Sequence, residues 1–139
     1  MAQGADSPPT PRAGAGRGRA WAAGILTAAP ALALLSSAVM KVARPPQVLD
    51  TFVGKLGYPA HLLPVLSALE VACVVVYLIP RTAVLGAVLL TGYLGGAVAT
   101  HVRVGDAFLP PLVVGVLVWA GLYLRDARLR ALLPLRAPG

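Results

Sequence analysis

Four apolar stretches take up most of a 139-residue chain, at about 21–40, 62–79, 83–102 and 108–124, and the second carries a carboxylate, Glu70, near its middle. Each stretch is roughly 17 to 20 residues long, the length a helix rising 1.5 Å per residue needs to cross a hydrocarbon core of about 30 Å. Hydrophobic residues make up 58% of the chain and charged residues 12%. With a mean hydropathy of +0.78, that composition lies outside the range of soluble domains of this size. The sequence therefore predicts an all-α, polytopic membrane four-helix bundle with one polar anomaly.

A net charge of +7 does not point to nucleic acid. The basic residues sit at the ends of the apolar runs, with no aromatic interleaving and no extended basic face. They read as topological charges. With the amino terminus inside, the inner side holds Arg12, Arg17, Arg19, Arg81, Arg125, Arg128, Arg130 and Arg136, and the outer side Lys41, Arg44, Lys55 and Arg103, eight against four. Basic residues stay on the cytoplasmic side of short connections, so both termini are predicted cytoplasmic. Residues 1–19, rich in Pro, Gly and Arg, lack apolar periodicity and are expected to form a disordered cytoplasmic tail, and residues 134–139 a short C-terminal tail. The Arg-rich start followed by an apolar run resembles a secretory signal with Ala31-Leu32-Ala33 as cleavage site. The run is longer than a signal core, however, and stops at Lys41 and Arg44, so the expectation is a retained anchor.

Between the first two spans, Val48, Leu49, Phe52, Val53 and Leu56 fall on one helical face and polar residues on the other. Pro46 suits a first helical position, Gly57 the residue past the end, and Pro59 blocks continuation, so a short amphipathic helix is expected. The turns Pro80-Arg81-Thr82 and Arg103-Val104-Gly105-Asp106 predict antiparallel hairpins. Pro30 predicts a kink in the first span. Gly92, Gly96 and Thr100 form a small-xxx-small stripe, expected to pack a neighbouring helix within the bundle, the same spacing also serving contact between two copies.

A charged group in mid-span is costly unless paired, hydrated or protonated, which makes Glu70 the candidate functional centre, with a structural hydrogen bond between helices as the plainer alternative. Ser67, Glu70, Cys73 and Tyr77 share a face of the second span; Tyr93, Ala97 and His101 share one of the third. Turning the chain at Arg81 brings Glu70 to the depth of Gly92 and Tyr93. Lys41 is placed to reach inward along its flexible stem and offset the charge, with His101 nearer the outer mouth. Metal ligation would need Glu70, His101 and Cys73 to converge, and haem ligation would need His61 and His101 in the core rather than at span ends. Structural roles are expected for both histidines and for Cys73. No cofactor motif appears. Quinone binding needs only an apolar slot and a few hydrogen-bonding groups, so the sequence leaves it open.

The segments SSAVMK, LGYP, Leu69-Glu70, Ile79-Pro80-Arg81, GYLGGAVATHVRVGD and WAGLYLRD, spread over residues 24–133, resemble the DoxX-like membrane proteins of bacteria. The resemblance implies four membrane helices in the cytoplasmic (inner) membrane, both termini inside. For function it implies less, because the wider group includes subunits linked to thiosulfate:quinone oxidoreductase, a membrane oxidoreductase complex and methylamine dehydrogenase maturation. Three roles stand open: a non-catalytic subunit or scaffold of a membrane complex, redox complexes included; an oxidoreductase component handling a quinone or sulfur compound; and a small proton- or cation-coupled transporter centred on Glu70. Small size and missing cofactor motifs favour the first. The expected partners are the lipid bilayer and, by the resemblance, a membrane or redox protein.

Overall fold

The computed structural model describes residues 13–133, which contain helices and turns and no strand. The elements are α1 (Ala13–Ala43), α2 (Pro46–Leu49) running on into a π-helical turn (Asp50–Lys55), a 3-10 turn (Ala60–Leu62) leading into α3 (Leu63–Leu78), α4 (Ala83–Arg103), α5 (Leu109–Arg125) and α6 (Ala127–Leu132). By length and composition α1, α3 with its leading turn, and α4 are able to cross a membrane. The apolar α5 has 17 residues, about 25 Å of helix.

Helix α1 packs on α3 and α5, and α4 packs on the same two, so the four long helices close into a bundle. Burial follows helical periodicity. In α1 the buried residues are Ala23, Thr27, Pro30, Ala31, Leu34, Ala38 and Lys41; in α3 they are Leu63, Ser67, Glu70, Cys73, Val74 and Tyr77. Spacings of three and four place each set on one inward stripe. Large side chains such as Leu32, Val39, Val65, Leu69, Val88 and Val116 stay exposed on the outside of the bundle. Apolar surface of that extent is untenable in water and natural against lipid.

The helix ends follow the local chemistry. Pro80 stops α3, Pro110 opens α5 where missing amide donors matter least, and the Asp126 carboxylate caps α6 by accepting from the amides of Arg128 and Leu129. Helix α1 starts at Ala13, so residues 13–19, expected within a disordered tail, instead continue its first turns: alanine and arginine are strong helix formers, and the helix already nucleated by the apolar run carries them. The rest of the predicted tails, 1–12 and 134–139, lies outside the described residues. Helix α1 continues through Pro30, which is fully buried.

The stripe Gly92–Gly96–Thr100 does not seat a neighbouring helix as expected. A Cβ built at Gly92 or Gly96 meets no heavy atom within 4 Å, because the helices stand apart there around a cavity. Close approach occurs instead at Gly86, whose Cβ would run into the Tyr77 backbone, and at Gly121, whose Cβ would lie 2.7 Å from the Leu26 carbonyl oxygen. These two glycines let α4 meet α3 and α5 meet α1.

Candidate functional site

The expected amphipathic segment forms a cap over one end of the bundle. Pro46 opens it, Gly57 closes it with φ of 74°, and its widened turn is fixed by the Leu56 amide donating to the Thr51 carbonyl at 2.8 Å. Single π-turns of this kind cluster at functional sites. Part of the apolar face points inward: Leu56 is buried and Phe52 half-buried, while Val53, expected on the same face, stays exposed. Two polar contacts tie the cap to α4, an Arg103 Nη2 donation to the Leu56 carbonyl at 2.6 Å and a Tyr58–Thr100 hydroxyl pair at 3.0 Å.

Beneath the cap lies a cavity of about 450 Å³, walled largely by apolar groups of α1, α3, α4 and α5. Its polar centre is an ion pair. Lys41 Nζ lies 2.8 Å from Glu70 Oε2, with side chains only 4% and 2% exposed. The same ammonium donates to Ser37 Oγ at 2.6 Å and sits 5.2 Å from the centroid of the Phe52 ring. Lys41 belongs to the last turn of α1 and Glu70 to the middle of α3, so the lysine stem runs inward along apolar surface to reach the carboxylate. In a medium this dry, each charge is tolerable only because the other is there.

Ser67, one turn before Glu70, donates to the Ala38 carbonyl at 2.9 Å and holds α1 against α3 just beside the pair. Tyr93, on α4, lines the same cavity as Glu70. His101 lines the cavity toward the cap, where its Nδ1 stands 3.3 Å from Asp106 Oδ2, off hydrogen-bonding geometry. Asp106, in the turn after α4, also faces Lys55 at 3.5 Å. The Ala107 backbone amide, then Lys55 and His101, hold its carboxyl below the usual carboxylate range.

Glu70, Lys41, Tyr93 and His101 thus line one cavity and Ser67 stands beside it. Gly92, Gly96 and Thr100 also line that cavity, so the stripe gives it room. Cys73 is buried one turn below Glu70, and His61 is exposed in the 3-10 turn that leads into α3. Sequence reasoning missed Ser37, Phe52 and Tyr58. Ser37 was findable, since it precedes Lys41 by four residues on the same helical face; which way the cap folds leaves no mark in the sequence.

A multi-pass membrane bundle with a buried ion pair in a ligand-sized, capped cavity is the class of protein these features define. The chain belongs to the DoxX-like family, whose family model matches residues 25–121. That span takes in about four-fifths of the described residues, including the ion pair and the cap, and leaves out the first turns of α1, the last turn of α5 and α6. No curated protein and no solved structure matches the chain.

Proposed function

We propose that the cavity around Lys41 and Glu70 holds a small, mainly apolar molecule with a hydrogen-bonding head, of the quinone type, and that the protein is a non-catalytic membrane subunit presenting it to a partner. The observation that carries this reading is the buried ion pair inside an apolar cavity of about 450 Å³, within the range of small-molecule sites, roughly 300 to 1,000 Å³. An ammonium has three donors. Lys41 spends one on Ser37 and one on Glu70, leaving the third for a carbonyl oxygen. The positive-inside rule favours both termini in the cytoplasm, which puts the cap on the outer side of a bacterial inner membrane; an alkaline phosphatase fusion after Arg136 that is active in the periplasm would reverse that orientation.

Titrating the purified protein with decylubiquinone, read as a thermal-stability shift, tests the ligand. Saturable stabilisation that Lys41→Met weakens by about tenfold, the loss of one charge-assisted hydrogen bond, is expected; no saturation, or none of that sensitivity, rejects it. Affinity purification from native membranes in mild detergent tests the subunit role through a stoichiometric partner. The same pair favours one second reading, a proton-coupled transporter. Proton flux into proteoliposomes that Glu70→Gln abolishes would select it, because an amide neither ionises nor carries a proton.

A further inference from the structure

The end of the bundle opposite the cap is strongly basic. Arg17, Arg19, Arg81, Arg125, Arg128 and Arg130 gather there at the start of α1, the α3–α4 turn and the α5–α6 corner, against the carboxylate of Asp126, which is occupied in capping α6. Topological charge alone explains a basic rim. It does not explain the cavity of about 530 Å³ at that end, which Arg19, Arg125 and Arg130 line together with Ala23, Leu78 and Leu124.

Two of the three guanidinium groups are fixed in place. Arg125 Nη2 donates to the Tyr77 carbonyl at 2.7 Å while the group lies 4.6 Å over the Tyr77 ring, and Arg130 Nη1 donates to the Leu124 carbonyl at 2.6 Å and the Tyr123 carbonyl at 3.3 Å. A guanidinium carries five N–H donors, so each keeps most of its donors while its position is set beforehand. Arg19, on α1, is exposed across the opening. Deeper in the same cavity lies Thr27, 9% exposed, whose buried Oγ1 has no hydrogen-bond partner among the described residues. A buried hydroxyl left without a partner is uncommon and calls for an acceptor.

We infer that this cavity is a binding site for one anionic phospholipid, its phosphate held by Arg19, Arg125 and Arg130, an ester oxygen accepting from Thr27, and an acyl chain lying on Ala23, Leu78 and Leu124. Arginine forks match phosphate oxygens, and the apolar floor below them suits a chain rather than a free ion. The site is independent of the cavity under the cap, so either stands if the other falls.

Native mass spectrometry of the full-length protein in mild detergent, titrated with phosphatidylglycerol or phosphatidylcholine, tests it. The first phosphatidylglycerol is expected to bind at least about tenfold more tightly than phosphatidylcholine, and Arg19→Gln to cut that preference about fivefold, the factor matching about 1 kcal/mol per basic residue facing an anionic lipid. Arg19 is exposed, so the variant folds. Thr27→Val, nearly the same shape, also lowers the preference, whereas Arg128→Gln, outside the cavity, leaves it intact. Equal binding of the two lipids, an unchanged preference in Thr27→Val, a loss as large in Arg128→Gln, or displacement of the lipid by inorganic phosphate would each overturn the assignment.

Discussion

Removing either partner of the Lys41–Glu70 pair alone should damage the protein more than removing both. At 2.8 Å and an effective dielectric near 20, the Coulomb attraction is about 6 kcal/mol. Desolvating two ions takes back several kcal/mol each, so the net contribution of the intact pair is small, but a lone survivor keeps its desolvation cost and loses the attraction. Both side chains are almost wholly buried, so solvent screening gives little relief. Lys41→Met and Glu70→Leu are each expected to destabilise by about 3 to 5 kcal/mol, and the double variant to lie within about 2 kcal/mol of wild type. Reversible unfolding of the purified proteins in mixed micelles measures all four corners of the cycle. If the double variant loses as much as the two single variants together, the charges do not depend on one another and the reading of the site as a coupled pair fails.

Other consequences are simpler. Gly86→Ala and Gly121→Ala force a Cβ into the backbone of the facing helix and should each cost about 1 to 3 kcal/mol, while Gly96→Ala, open around its Cβ, should cost no more than about 0.5; thermal unfolding in detergent separates the two classes. Tyr77→Phe removes the donation from the Tyr77 hydroxyl to the Val118 carbonyl and should cost about 1 kcal/mol by the same measurement. Asp106 has its folded-state pKa lowered by the Ala107 amide, Lys55 and His101, so its contribution is present above the ordinary aspartate range and lost as pH falls through the folded value. The gap in melting temperature between wild type and Asp106→Asn should therefore be open at neutral pH and close on acidification below about pH 4.

The bundle was legible because its determinants are local. Hydropathy marks the spans, and Pro80, Pro110 and Gly57 mark where helices stop or start. Glu70 stood out as a carboxylate in an apolar run, and Lys41 followed from side-chain length. What stayed hidden depends on where separate helices touch. Gly92 and Gly96 form a motif yet line a cavity, whereas Gly86 and Gly121 form no motif and sit at the crossings; spacing along one helix says nothing about which neighbour comes near. Composition likewise misread residues 13–19, since a helix nucleated downstream extends into glycine- and arginine-containing sequence that would not nucleate one itself.

The ion pair also explains why the cap and the cavity belong to one device. Lys41 Nζ contacts Glu70 on α3, Ser37 on its own helix and the Phe52 ring of the cap. The first two use two of its donors, so a ligand head that takes the third meets only the Phe52 ring as a rival. Of the three the carboxylate is the strongest partner and the ring the one with no hydrogen bond to lose, since even a desolvated cation–π contact is worth about 2 kcal/mol against several for a buried charge pair. Ligand entry should therefore disturb the Lys41–Phe52 contact first. The cap itself is held by Arg103 and Thr100 of α4, the helix that also places Tyr93 in the cavity wall. A change at Lys41 thus reaches the cap directly through Phe52, without requiring the four long helices to move apart.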